Sequence, residues 1–155
     1  MTGQADTLIV GIGNEFRGDD SVGLYIARKI SENAPANCVV KEAPGEGIHL
    51  INTWEGFGNV IIIDAVRSAS VPGTVHRIDA RRQKLPDNWV HHSAHTVSLP
   101  EAIRLARTLK VLPATLTIYG IEGRCFDPGA KLSDDVRQAA DALIPSLLAE
   151  LTLER

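Results

Sequence analysis

The sequence predicts a three-layer α/β/α fold around a mostly parallel, twisted sheet of about five strands. Three observations lead there. Short apolar runs of strand length, such as Val60-Ile61-Ile62-Ile63, alternate with segments whose apolar residues recur at helical spacing. Those runs are apolar at consecutive positions, the pattern of strands covered on both faces. No repeat, linker or low-complexity stretch divides the 155 residues, so one domain is expected over 1–155.

The elements follow in order. Residues 7–12 form an apolar run ending among glycines, a buried first strand. Residues 21–32 place Val22, Tyr25, Ile26 and Ile30 on one helical face. A second strand is expected at 37–43, and a short helix at 48–54 between Gly47 and Gly56. Residues 59–66 read as a central strand. Residues 74–78 follow a Pro72-Gly73 turn, and their mixed polar content suggests an edge strand. A helix over 99–109 has Pro100 in its first turn, where proline is well tolerated. A fifth strand is expected at 114–121. The last helix, 132–151, starts at Ser133-Asp134-Asp135, which supply capping and acidic first-turn groups, and Pro145 is expected to kink or divide it.

Composition removes several classes. Hydrophobic residues make up 44% and charged residues 23%, and the net charge of −3 gives no footing for nucleic acid. The two cysteines, Cys38 and Cys125, lie in no CxxC pair and are expected to be reduced thiols. No basic stretch precedes a long apolar one at the N-terminus, and no run approaches the roughly 20 apolar residues of a membrane span. A cytoplasmic protein with no membrane association is expected. The absence of heptads suggests a monomer.

In a doubly covered parallel sheet, ligands bind beyond the carboxyl ends of the strands, where strand order reverses. Three loops therefore matter. The first contains Gly11, Gly13, Gly18 and Gly23, but its spacing is not GxGxxG, and no GK[ST] follows. Asp19 and Asp20 stand at the expected helix start and would oppose a phosphate there, or simply cap the helix. The second loop follows Asp64, a carboxylate at the end of an apolar strand. It points into the crevice or orders the next turn. The third contains His91, His92 and His95, of which His95 is nearest the following helix. Two carboxylates and an imidazole on adjacent loops suit a divalent Zn, Ni, Fe or Mn ion with open coordination positions. There is no HExxH helix and no GxSxG elbow, and nothing around Cys125 marks it as a nucleophile.

These residues resemble the signatures of the hydrogenase maturation proteases. The opening signature is matched by Gly11-x-Gly13-Asn14-x-x-x-Gly18-Asp19-Asp20-x-x-Gly23. The second acidic ligand is matched by Asp64, and the histidine motif by Ser93-Ala94-His95-x-x-Ser98-Leu99-x-Glu101-Ala102. The closing segment is matched by Tyr119-Gly120-Ile121-Glu122 and Gly129-x-x-Leu132-Ser133. The resemblance runs in order over nearly the whole chain. It implies metal ligands at Asp20, Asp64 and His95, which would act in catalysis through the metal and contact nickel already carried by a hydrogenase large-subunit precursor. It also implies removal of a short C-terminal tail from that precursor, after a basic residue. Nickel would thus come mainly from the substrate, with no other cofactor. One departure falls at Glu42-Ala43-Pro44-Gly45-Glu46-Gly47, where the family often has an Asp-Gly-Gly-Thr-like stretch, so substrate recognition is expected to differ.

Three readings stand at this point. The first is a nickel-dependent endopeptidase, with Asp19 and Glu15 as the nearest spare acids for a general base. The second is a non-catalytic nickel-checking or docking protein for hydrogenase assembly using the same three ligands. The third, a nucleotide-binding domain, is opposed by the glycine spacing and the paired acids.

Overall fold

The computed structural model describes residues 6–43, 49–89 and 98–153. The elements run β1 (Thr7–Ile12), a 3₁₀ turn (Gly18–Ser21), α1 (Val22–Ser31), β2 (Cys38–Ala43), α2 (His49–Trp54), β3 (Asn59–Val66), β4 (Val75–Asp79), α3 (Leu99–Leu109), β5 (Thr115–Glu122) and α4 (Asp134–Leu153). They form one five-stranded sheet in the order β2-β1-β3-β5-β4. All neighbours pair in parallel except β4, which is the antiparallel edge on β5. The α/β/α architecture and the edge position of the fourth strand are as the sequence predicts. No described helix is long and apolar enough to cross a membrane.

The alternation of side chains along each strand builds two cores. Leu8, Val10, Val60, Ile62, Leu116 and Ile118 meet Leu50 and Trp54 of α2 and Leu99 and Ile103 of α3. Ile9, Ile61, Ile63 and Ile121 meet Val22, Ile26 and Ile30 of α1 and Val136, Ala140 and Leu147 of α4. Both faces of β1 and β3 are covered, which is why those strands read as unbroken apolar runs.

The connections place the crevice. From β1 the chain crosses to β2 on one side, then returns to β3 on the other, so strand order reverses between β1 and β3. The two strands differ in reach. Pairing of β1 with β3 ends at Gly11 with Ile63, whereas β3 continues beside β5 as far as Val66 with Glu122. Asp64 therefore stands just past the level where β1 turns into its loop.

Some boundaries depart from expectation. The first helix opens with a 3₁₀ turn, and β5 extends to Glu122. Helix α4 runs unbroken through Pro145. Pro145 and Asp141, whose carbonyl loses its partner, are both exposed, so water can satisfy that carbonyl.

The glycines of the first loop serve close packing. A Cβ at Gly23 would lie 2.4 Å from the carbonyl oxygens of both Ile12 and Ile63, and one at Gly11 would lie 2.3 Å from the Gly23 carbonyl. Helix α1 thus begins in backbone contact with the ends of β1 and β3. We expect Gly23→Ala to lose about 3 kcal/mol of stability, the upper range of overpacking costs, because the obstacle is backbone on two strands. Urea unfolding of the variant against the parent measures it.

Candidate functional site

The loop after β1 carries two consecutive acids with opposite environments. Asp19 is fully buried. Its Oδ2 accepts the Arg124 N–H at 2.7 Å, the Cys125 N–H at 2.9 Å and the Ser133 hydroxyl at 2.8 Å. Its Oδ1 accepts the Ser133 N–H at 2.7 Å, and its own N–H donates to the Cys125 carbonyl at 2.8 Å. A buried carboxylate is tolerable when it is this fully hydrogen-bonded. Asp19 thus ties the β1 loop to the segment leaving β5 and to the start of α4. That role leaves it neither a helix cap nor a general base. The Ser133 hydroxyl, expected to cap α4, is spent on Asp19 instead. Gly18, at φ +57°, lets the chain pass the Cys125 carbonyl, which a Cβ would approach to 2.5 Å.

Asp20, one residue on, is partly exposed, and its Oδ2 accepts the Asn14 N–H at 3.1 Å. Neither the 3₁₀ turn nor α1 has a side-chain cap. The rest of the loop is held tightly: Asn14 Oδ1 accepts the Phe16 N–H at 2.9 Å, and the Phe16 carbonyl accepts the Gly129 N–H at 2.7 Å. Yet the Phe16 side chain is 71% exposed. Beside it a groove of about 410 Å³ is lined by Gly13, Glu15, Leu24, Arg28 and Glu42. Arg28 grips Glu42 through two hydrogen bonds of 2.9 Å and lies 3.5 Å from Glu15. The hydrogen bonds from Arg28 hold the Glu42 carboxyl below its usual pKa.

Asp64 is buried, and its Oδ1 accepts the N–H of Ala65 at 2.8 Å. By alternation it shares the face of Val60 and Ile62, the side covered by α2 and α3. The Gly23 contact with Ile63 brings its segment against the start of α1, three residues beyond Asp20. The structure therefore brings the segments bearing Asp20 and Asp64 together at the reversal of strand order. His91, His92 and His95 lie outside the described residues, as do Pro44, Gly45, Glu46 and Gly47 of the departing segment. Among the described residues no three His, Cys, Asp or Glu side chains converge on a metal position. The two carboxylates are hard oxygen donors, and with an imidazole they suit a borderline divalent ion. Helix α3 starts at Ser98, whose hydroxyl accepts the Glu101 N–H while Glu101 accepts the Ser98 N–H. Part of the histidine motif is thus a capping box, legible as Ser-x-x-Glu.

Beside the crevice gather Glu122, legible in the sequence only as part of the closing signature, and His76, Ser68 and Trp89, which no motif marks. Glu122 is buried at the end of β5. It accepts the Ser68 N–H at 2.7 Å and the Ser68 hydroxyl at 2.6 Å, and meets His76 Nε2 at 3.3 Å. The available signal was an acid closing a strand beside the one that carries Asp64.

Comparison with known proteins bears on this arrangement. The HycI family model, described as hydrogenase maturation protease, matches residues 24–150. A Methanocaldococcus jannaschii protein named as a hydrogenase maturation protease is 30% identical, over 94% of this chain and 96% of its own. The solved [NiFe] hydrogenase maturation protease HybD of Thermococcus kodakarensis is 28% identical, with a TM-score of 0.70, over 91% of this chain and 95% of that one. The maturating endopeptidase HybD of Escherichia coli, at 20% identity, shares the fold with a TM-score of 0.77 over 96% and 93%.

The neighbouring acids separate by experiment. Asp19→Ala strands three backbone N–H groups and a hydroxyl, each at about 1–3 kcal/mol when buried, and should cost several kcal/mol. Asp20→Ala should cost about 1 kcal/mol or less, since its carboxylate is partly exposed and water can take its place. Thermal unfolding of both variants tests the contrast, and equal losses would refute the assignment of Asp19 as the structural acid.

Proposed function

The chain belongs to the hydrogenase maturation protease family, and from that membership we propose that it removes the C-terminal tail of a nickel-loaded [NiFe]-hydrogenase large-subunit precursor. The observation that carries this reading is the pair of carboxylates, Asp20 and Asp64, on segments packed together at the carboxyl edge of the sheet. With His95 they would hold the nickel that the precursor brings. A bound divalent ion polarises a carbonyl or lowers the pKa of a water. The chain's own part is to orient the two carboxylates, each through a hydrogen bond from a backbone N–H. The groove between Phe16 and Glu42 includes Asn14, which Asp20 holds, and would take the tail beside Asp20.

Three ligands without a thiolate make a weak resident nickel site, since selectivity in such sites comes from geometry and metal supply. In this reading the protein is a cytoplasmic monomer. It meets its nickel in the precursor, and cleavage doubles as a check on loading.

Asp20→Ala, Asp64→Ala and His95→Ala should each abolish tail removal while the circular dichroism of the fold is kept. Cys125→Ser should cleave as the parent does, because Asp19 engages Cys125 through its backbone. The deciding assay mixes the protein with equal amounts of nickel-free and nickel-loaded precursor and follows the tail by mass spectrometry. Only the loaded form should be cut. Equal cleavage of both in the presence of a chelator would show that nickel is not the recognition element.

A further inference from the structure

We propose that Glu122 is a positioning residue for the metal site, acting through His76 and Trp89 on the flank of Asp64. The inference rests on the reading of Asp64 as a ligand. In the sheet register, Asp64 of β3 lies beside Gly120 of β5, and Gly120 beside His76 of β4. Residues paired across adjacent strands point to the same face, so Asp64 and His76 look the same way across a position without a side chain. Their Cα atoms stand about 10 Å apart, two strand spacings.

The indole of Trp89 fills that gap together with the side chain of Val66. A Cβ at Gly120 would lie 2.8 Å from Cη2 and 3.2 Å from Cζ2 of Trp89. Trp89 is buried, and His76 meets it edge-on with ring centroids 5.5 Å apart. On its other side His76 Nε2 meets Glu122 Oε1 at 3.3 Å. The same carboxylate fixes Ser68, whose carbonyl accepts the side-chain amide of Asn88 at 3.3 Å. One buried acid thus holds residues 88 and 89 by two arms, six residues before His95 in the sequence.

A carboxylate paired with an imidazole is a costly prop for an indole. Apolar residues of similar volume support such a ring at no loss and often at a gain in stability. What the polar arrangement adds is fixed geometry: Glu122 sets the angle of the His76 ring, and that ring sets how far the indole reaches over Gly120. The indole then serves as the dry wall on the β5 side of Asp64. Partners of this kind control the orientation and hydration of a ligand carboxylate.

The test uses the full-length protein without metal. Ni²⁺ is titrated calorimetrically into the parent, Glu122→Gln, Trp89→Phe and Asp64→Ala, with folding followed by circular dichroism. Cleavage of loaded precursor is measured in parallel. Glu122→Gln keeps an acceptor for Ser68, and Trp89→Phe keeps an aromatic ring while withdrawing Cη2 and Cζ2 from Gly120. We expect both to fold and to bind Ni²⁺ about tenfold more weakly, the lower range for loss of an outer partner. We also expect a lower kcat with KM for the precursor unchanged. A Ni²⁺ affinity equal to the parent's in folded Glu122→Gln or Trp89→Phe, alongside a clear loss in Asp64→Ala, overturns the positioning role alone. Should Glu122→Gln not fold, Trp89→Phe decides by the same criterion. Undiminished Ni²⁺ binding by Asp64→Ala removes the ligand reading itself, and this proposal falls with it.

Discussion

The carboxylate of Asp19 is the constraint on which the site depends. Three backbone N–H groups and one hydroxyl converge on it, from the segment leaving β5 and from the start of α4. A charge without solvent contact holds its place only if its donors are preset, and these donors come from chain more than a hundred residues away. Once Asp19 is fixed, the 3₁₀ turn that contains it is fixed too, and Asp20 is left on the open side of the loop. The buried acid builds the platform and the neighbouring one is presented from it.

A second constraint is the absence of side chains where α1 meets the sheet. Glycine at 11 and 23 allows backbone contact between the helix and the ends of β1 and β3. That contact brings Asp64, on the longer β3, against the turn bearing Asp20. The same glycines explain why the loop looks like a dinucleotide fingerprint without being one. They close helix–strand packing, a task both folds share, while the helix start carries acids where a phosphate would need bare N–H groups.

The opposite flank follows a similar plan. Glu122, at the end of β5, is another buried carboxylate, and it gathers the β3–β4 connection, β4 and Trp89 around itself. Asp19 and Glu122 thus bracket the carboxyl edge of the sheet, Asp19 beside Asp20 and Glu122 on the flank of Asp64. Another hollow, of about 430 Å³, lies near Trp54 and Pro113, at the amino ends of β3 and β5 and remote from both acids.

Local sequence pattern was enough for the layered fold, nearly every described element and the edge position of β4. These depend on local periodicity and on which runs are apolar throughout, and both are written in consecutive residues. It could also mark Asp64, because an acid closing an apolar strand has few places to go. Residue type and spacing could not separate Asp19 from Asp20; only the resemblance put the ligand at Asp20. The two are adjacent and identical in type, and their roles differ only because Arg124, Cys125 and Ser133 arrive beside one of them. Nor could it bring Glu122, His76 and Trp89 together beside the strand of Asp64, since they meet only through sheet register and an empty position at Gly120. Distances along the chain carry no record of which strands become neighbours, and tertiary structure alone decided these contacts.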